Sequence, residues 1–194
     1  ANTLLVPPEK VWRSGTWADL RDWTAEMPEH YRTAEKMLGV TTNPLLADAD
    51  HMLKKLADEA GVGGSFYRTR VAVYFGADDE HVQPQQGGDP YFAGQGPARS
   101  PCIGCGGCMV GCRHRAKNSL DYNYLYLAEK LGAKVLAESR VSRIEPLDKQ
   151  DKGRTGWRIT VKPFRRPEQH FTAQNVIVSA GSLGTQALLF DMKE

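Results

Sequence analysis

Four cysteines fall within eleven residues of this 194-residue chain, and the chain has no others. They are Cys102, Cys105, Cys108 and Cys112, in the spacing C-x2-C-x2-C-x3-C. This spacing lets consecutive thiolates from one short loop surround a single cluster of iron and sulfide. The intervening residues are small or apolar, as a tight loop around a buried group requires. The pattern predicts a metal centre at this loop.

Other occupants of the four cysteines stay open. Two disulfides require Cα atoms about 4.4–6.8 Å apart and are typical of secreted proteins. A structural zinc site usually takes two separated cysteine pairs. An iron–sulfur cluster fits the spacing, which bacterial ferredoxins share with a proline after it, where Arg113 stands here. His114, Arg115 and Lys117 add positive charge that would offset cluster charge. The sequence favours the cluster over zinc, disulfides or reduced, unligated thiols.

Composition excludes several classes of protein. Charged residues make up 25% and hydrophobic residues 41%, as in an ordinary globular domain. The net charge of +2 is too small to indicate nucleic acid or an anionic membrane as a partner. No apolar run approaches the roughly 18 residues of a membrane span, and no signal-peptide pattern is present. Localisation stays unknown, with cluster chemistry slightly favouring a reducing cytoplasm.

The two ends of the chain predict a piece of a longer protein. The chain opens at Ala1 without an initiator Met, in a segment with the pattern of a strand. It closes at Glu194, a few residues into a helical pattern. We therefore expect the isolated chain to be catalytically inactive.

Hydrophobic periodicity predicts both helices and strands, many of them ended by Gly or Pro. Helices are predicted at 17–38 with a break at Pro28, at 48–60, from Asn118 or Ser119 to Leu131, and at 183–192. Strands are predicted at 1–8, 71–75, 134–138, 141–146, 157–161, 170–172 and 175–179. Residues 77–101 carry no period and predict a long loop that leads into the cysteines.

A strand-to-helix turn near the C-terminus is a candidate for a nucleotide site, with ordinary structural packing as the alternative. Gly181 would let the backbone approach a ligand, and the helix that follows would face a phosphate or ribose. The sequence G-x-G-x-x-G is absent, so a pyrophosphate cradle of that type is not predicted here. The five histidines are scattered and form no catalytic or metal-binding set.

Six segments together resemble the glucose–methanol–choline (GMC) family of flavoprotein oxidoreductases, in particular its bacterial, cholesterol-oxidase-like branch. They are Asn-Thr-Leu-Leu-Val-Pro-Pro at 2–8, Asp-Pro-Tyr-Phe at 89–92, the cysteine run, Ala-Lys-Asn-Ser-Leu at 116–120, Asn-Tyr-Leu-Tyr-Leu-Ala-Glu at 123–129, and Ser-Ala-Gly-Ser-Leu-Gly-Thr at 179–185. The resemblance covers essentially the whole chain, but only the middle of the family's length.

The resemblance implies an α/β fold, namely a partial FAD-binding domain of GMC type with an interleaved helical and loop segment from a substrate domain. Residues 1–8 would be a flavin-proximal strand and residues 9–100 a helical and loop insertion. Residues 101–131 would hold the cysteine-cluster loop and the helix after it. Residues 132–194 would form FAD-domain strands and the terminal helix on the adenine and ribose side.

The resemblance also implies which residues bind FAD. Val141 would hold the adenine through its backbone, and the turn at Ala180 and Gly181 would lie beside the adenosine. Asn2 and Thr3 would continue a flavin-proximal loop. The family's catalytic His has no counterpart in this chain, so no catalytic residue is predicted here.

The implied function is oxidation of a CH–OH group of an alcohol, sterol or sugar, with FAD as cofactor. Some flavin dehydrogenases of similar sequence hold an iron–sulfur cluster at C-x5-C-x3-C, which Cys102, Cys108 and Cys112 reproduce, with Cys105 as a fourth ligand. Such a cluster would relay electrons to an acceptor protein. The alternative is a non-catalytic iron–sulfur or zinc module for electron transfer or interaction.

Overall fold

A computed structural model describes residues 4–16, 18–82, 88–150 and 152–192. The chain divides into two compact units, Ala1–Ala133 and Lys134–Glu194, and each is considered by itself. The order of elements along the chain confirms a mixed fold of helices and small sheets. Within the described ranges, no helix combines the length and apolarity needed to cross a lipid bilayer.

Among its described residues, the first unit has four α-helices, joined by loops and short 3-10 turns. Their bounds are Glu9–Trp12 (α1), Trp23–Met37 (α2), Asp48–Glu59 (α3) and Tyr124–Lys130 (α4). The α3 prediction is confirmed, and the helix ends where Gly61 adopts a left-handed φ of 73°. Gly39, predicted to end α2, follows the capping Leu38 with a φ of 53°.

The predicted break of α2 at Pro28 is wrong, and so is the predicted start of that helix at Trp17. The helix runs through Pro28 and begins after Asp22, whose carboxylate accepts the Ala25 N–H at 3.2 Å. Pro28 lies close to the N-terminus, so its ring removes only one early hydrogen bond of the ladder. A 3-10 turn at Ala18–Leu20 precedes the helix, and Trp17 lies outside the described residues.

The helix after the cysteines also starts later than predicted. Ser119 opens a 3-10 turn at Leu120–Tyr122, and the α-helix begins only at Tyr124. The side chain of Asn123 accepts the Tyr124 N–H at 2.5 Å and so caps α4. Asn123 is itself buried. Gly132 follows the helix with a φ of 98°.

A two-stranded ribbon organises the core of the first unit. Thr41–Thr42 (β1) pairs antiparallel with Arg70–Val71 (β2), and Val73 forms a bridge to Lys117. The predicted strand at 71–75 is therefore shorter than expected. Of the predicted strand at 1–8, residues 4–8 are described and are not in a strand, although the Leu4 N–H donates to the Arg70 carbonyl at 3.0 Å. The apolar core consists of Val40, Ala72, Val73, Tyr74, Tyr91 and Ala116.

The second unit is a three-stranded antiparallel sheet followed by a helix, which confirms three predicted strands and the terminal helix. The strands are Ser139–Pro146 (β3), Trp157–Pro163 (β4) and Gln169–Ala173 (β5), in the order β3-β4-β5. The helix is Gly181–Asp191 (α5). Among the described residues of this unit, Val161 of β4 and Leu188 of α5 are the buried apolar side chains.

Two predicted strands of the second unit, 134–138 and 175–179, are wrong because neither is paired. A strand needs a neighbouring backbone to satisfy its N–H and C=O groups. Within the described residues no such neighbour flanks either segment. Ile177 is 89% exposed, although its β-branched surroundings predicted burial on both faces.

Candidate functional site

The four cysteines line one small cavity in the first unit. Its volume is about 20 Å³, and Val73, His114, Ala116 and Lys117 complete its walls together with the apolar and glycine residues of the loop. The sequence spacing therefore brings together the four side chains that were predicted to meet. All four are free thiols, so the two-disulfide alternative is not realised. Cys105 is exposed and the other three are partly buried.

Two of the four sulfurs each accept a hydrogen bond from a backbone N–H group. The Gly104 N–H donates to Cys102 Sγ and the Ala116 N–H to Cys112 Sγ, each at 3.4 Å. Burial raises the pKa of Cys112, but the backbone N–H groups of Lys117, Ala116 and His114 and the charge of Arg99 outweigh it and lower that pKa below its usual value. The loop thus favours a thiolate at Cys112.

The size of the cavity decides what the loop can hold in this conformation. A volume of about 20 Å³ is close to that needed by one water molecule. No three Cys, His, Asp or Glu side chains of the described residues stand at metal-binding distances. A cube of iron and sulfide therefore does not fit the loop as it stands, whereas one metal ion requires only that the sulfurs close inward.

Arg99, which the sequence did not single out, ties the preceding loop to the segment after the cysteines. Its Nε donates to the Arg115 carbonyl at 2.5 Å, and its Nη2 to the carbonyls of Ala116 at 3.2 Å and Lys117 at 3.0 Å. Nη2 also donates to Oδ1 of Asn118. No periodicity marks a lone Arg in a loop, so the sequence carried no signal for this role.

Asp89 organises the loop that leads to Arg99. Its buried carboxylate accepts the N–H groups of Tyr91 at 2.9 Å, Phe92 at 3.0 Å, Gly94 at 3.1 Å and Gly96 at 2.8 Å. One carboxylate therefore satisfies four backbone donors that would otherwise be left without acceptors. The predicted structureless loop is locally ordered around this residue.

The second unit carries a separate cleft of about 710 Å³ between its sheet and α5. This volume lies within the usual range for ligand sites, about 300–1,000 Å³. Predicted cofactor residues Val141 and Ala180 both line it, and Gly184 stands on its helical wall. The remaining walls are formed by Ser139, Arg140, Ser142, Lys162, Ala187, Leu188 and Asp191.

The backbone of Val141 faces the open edge of the sheet. In an antiparallel pair, successive residues alternate between bonding the neighbouring strand and turning away from it. The Phe164 N–H donates to the Glu138 carbonyl at 2.8 Å, which fixes the phase of this alternation. Val141 lies three residues after Glu138 and opposite Val161, so the two form a pair without mutual backbone hydrogen bonds. Its N–H and C=O thus point to the side where β3 has no partner strand.

A β-bulge follows directly. The register shifts between Val141 and Arg143, so Ser142 is the extra residue of β3. Beyond it, the Ile144 N–H also leaves the sheet and donates to Met192 Sδ at 3.1 Å, just after α5. The open edge of β3 therefore faces the end of α5 and forms one side of the cleft. A free backbone donor and acceptor at one residue suit the edge of an adenine, which offers both.

Gly181 opens the other side of this region. It has a φ of 77°, and a Cβ at this position would meet no atom within 4 Å. The space in front of its backbone is thus free for a ligand. The turn is held by Thr185, whose Oγ1 accepts the Ala180 N–H at 3.0 Å. The predicted cofactor residues Asn2 and Thr3 lie outside the described residues.

The cleft and the cysteine loop stand within the stretch that matches a known family. Residues 98–191 match the GMC oxidoreductases. This match confirms the resemblance to the GMC oxidoreductases that the sequence predicted.

The whole chain is similar to curated cholesterol oxidases. It is 51% identical over 202 residues to a cholesterol oxidase of Acinetobacter baumannii, in a match that covers 100% of the chain and 35% of that protein. Cholesterol oxidases of Mycobacterium tuberculosis, strains CDC 1551 / Oshkosh and ATCC 25618 / H37Rv, are 44% identical over 198 residues, with 100% of the chain and 33% of each protein covered. The chain spans about a third of the length of these relatives. No solved structure matches it.

Proposed function

We propose that this chain is the adenosine-binding and cysteine-bearing part of an FAD-dependent oxidoreductase that oxidises the CH–OH group of a sterol. The match to the GMC oxidoreductases and the similarity to cholesterol oxidases support both the reaction class and the substrate class. The observation that carries the proposal is the cleft of the second unit, whose walls include Val141 and Ala180. Other alcohols and sugars are the competing substrates.

The residues of this chain would bind and orient the cofactor. FAD, when bound, supplies the acceptor for a hydride from the carbinol carbon. Val141 would bind the adenine through its outward-facing N–H and C=O. Gly181 would allow close approach of the adenosine near the N-terminus of α5, and Asn2 and Thr3 would contribute on the flavin side. No residue of this chain is assigned to the proton transfer.

The direct test is anaerobic reduction of the purified full-length protein. We expect flavin absorbance in the preparation and its bleaching on addition of a 3β-hydroxysterol, with primary alcohols and glucose as comparison substrates. Bleaching by glucose but not by the sterol would show that the substrate is a sugar and not a sterol. A preparation without flavin that also fails to bind added FAD would overturn the proposal.

We propose, second, that the four cysteines hold a metal centre. The supporting observations are the convergence of all four side chains on one cavity and the N–H donors on Cys102 and Cys112. An iron–sulfur cluster that passes electrons to an acceptor protein is the predicted occupant, and the small cavity means that the loop must open to admit it. A single ion such as zinc is the competing occupant, and it would give a structural or interaction role.

Elemental analysis after anaerobic purification distinguishes these occupants. Iron with acid-labile sulfide would support the relay. One zinc per chain without sulfide would support the single-ion site. Neither metal, with four alkylatable thiols, would remove the metal centre and leave the flavin proposal untouched.

We also propose how the four segments of the chain correspond to parts of the FAD-dependent enzyme. We assign residues 1–8 to a flavin-proximal strand, residues 9–100 to the insertion, residues 101–131 to the cysteine loop and its helix, and residues 132–194 to the adenosine side of the FAD domain.

A further inference from the structure

We propose that Arg99 is a positioning residue of the four-cysteine site, because it holds the peptide group that presents an N–H donor to the sulfur of Cys112. This inference rests on the proposed metal centre and adds to it a residue outside the cysteine motif. It concerns the binding of a single metal ion by thiolates, for which the four sulfurs must close inward.

The guanidinium of Arg99 is buried and its position is fixed. Only 9% of the residue is exposed. The guanidinium stands 4.7 Å from the ring centroid of Tyr122 and 5.9 Å from that of Tyr91. Its fork holds three consecutive backbone carbonyls, those of residues 115–117. A planar fork in contact with aromatic faces is a geometry that Lys cannot reproduce.

The peptide groups transmit this position to the sulfur. In a planar trans peptide the C=O and the next N–H point in opposite directions. The Arg115 carbonyl faces Arg99, and the N–H of the same peptide group, at Ala116, donates to Cys112 Sγ at 3.4 Å. The carbonyl of the next peptide group, that of Ala116, also accepts from Arg99. The peptide group between residues 115 and 116 thus has its oxygen at the cation and its N–H at the sulfur.

The burial of Arg99 makes its hydrogen bonds important. Within the described ranges, Arg99 forms no ion pair with a carboxylate. A buried cation is costly unless an opposite charge or strong hydrogen bonds compensate it. The bonds from Arg99 to the carbonyls of residues 115–117 and to Oδ1 of Asn118 supply that compensation, so the guanidinium and these peptide groups hold one another in place.

The binding step balances without any oxidant. A divalent ion replaces the proton of each coordinating thiol, each sulfur forms one bond to the metal, and the protons leave to solvent. Donors that stabilise the sulfur anion and orient it strengthen the bond, and residues that hold such donors typically contribute about 10–100-fold in metal affinity. We therefore expect loss of the Arg99 fork to weaken metal binding by about 10-fold or more.

The test is an anaerobic titration of the reduced, metal-free full-length protein with Co²⁺, followed by its thiolate charge-transfer absorption. Arg99→Gln removes both fork and charge, Arg99→Lys removes only the fork, and Arg113→Gln removes a charge from an exposed neighbour. We expect weaker Co²⁺ binding for Arg99→Gln and, to a smaller extent, Arg99→Lys, with Arg113→Gln within about twofold of the wild type. Flavin content serves as the check on folding.

The outcomes separate the two proposals. If the wild type shows no thiolate band with Co²⁺, the single-ion site falls and the role of Arg99 with it, whereas iron with acid-labile sulfide remains the separate test of the cluster. If the wild type binds Co²⁺ and both Arg99 variants match Arg113→Gln, only the role of Arg99 is overturned. If both Arg99 variants lose flavin, they are not properly folded, and amide hydrogen exchange in the wild type then tests the role of Arg99. Residues 113–118 should exchange more slowly with Co²⁺ than without it, and unchanged exchange would overturn the role.

Discussion

At the scale of single residues, the stability of the first unit depends on a few positions where the residue cannot be replaced without a clash or a lost hydrogen bond. Gly39 is one of them. A Cβ at Gly39 would lie 2.5 Å from two ring atoms of Tyr91 and 2.8 Å from Nδ2 of Asn118, and the residue has a φ of 53°. This glycine thus allows α2 to end directly against the loop that carries Tyr91 and against the segment that follows the cysteines.

We predict that Gly39→Ala destabilises the protein by about 2–4 kcal/mol, because it adds a steric clash to an unfavourable backbone conformation. Gly61→Ala is the matched control. Its φ is 73° but no atom lies within 4 Å of the added Cβ, so only about 1–2 kcal/mol should be lost. Urea unfolding measures both. Equal losses for the two variants would contradict the account of Gly39.

A second prediction at this scale concerns Asp89. Asp89→Ala leaves four buried or partly buried N–H groups without their acceptor and should cost about 3 kcal/mol or more. Asp89→Asn keeps one acceptor oxygen and should cost distinctly less. The free energy of unfolding of the two variants gives the comparison. A loss below about 1 kcal/mol for Asp89→Ala would show that the carboxylate does not hold the loop.

At the scale of elements, Glu80 fastens the β1–β2 ribbon. Its carboxylate accepts the N–H of Thr42 at 3.0 Å and the hydroxyl of Thr42 at 3.1 Å, and it pairs with Arg70 at 2.8 Å. Burial raises the pKa of Glu80, but the bonds from Thr42 and the charge of Arg70 outweigh it and lower that pKa. The ionised form therefore stabilises the folded state.

We predict that Glu80→Gln lowers stability near pH 7 by about 0.5–1 kcal/mol, since the pair is largely exposed. A lowered folded pKa gives stability that is present above the unfolded pKa, about 4.3 for Glu, and lost as the pH falls through the folded pKa. The two proteins should therefore become equally stable in more acidic solution. Glu59→Gln, which breaks only a 3.9 Å exposed pair with Lys55, is the control and should change little. A pH-independent difference would contradict the assignment.

The open edge of β3 gives a second prediction for an element. Pro lacks the N–H that Val141 turns to the cleft, and it leaves the β3–β4 ladder intact because that N–H does not point to β4. We predict that Val141→Pro lowers the affinity for FAD by at least 10-fold. Val141→Ala keeps that N–H and should retain most of the flavin. Equal flavin content in the two purified variants would exclude adenine binding by Val141.

At the scale of the whole molecule, local sequence patterns predicted the elements that are stabilised by neighbours in sequence. They failed where an element needs a partner that is distant in sequence. The α3 helix and the strands β3 to β5 followed from periodicity and turn residues, because each is satisfied by its own neighbours. The runs 134–138 and 175–179 had the composition of buried strands, but a strand forms only beside another backbone. For the site, cysteine spacing predicted the convergence on one cavity. The fork of Arg99 and the bulge at Ser142 carry no sequence signal, since both arise from where carbonyls and N–H groups point.

The central claim is that the cleft of the second unit binds the adenine of FAD, and photoaffinity labelling tests it most directly. The full-length protein, reconstituted with an FAD analogue that carries an azide on the adenine, is irradiated and its labelled peptides are sequenced. We predict labels within residues 139–142 or 180–188, with protection by excess FAD. Protected labels confined to residues outside 134–194 would contradict the account.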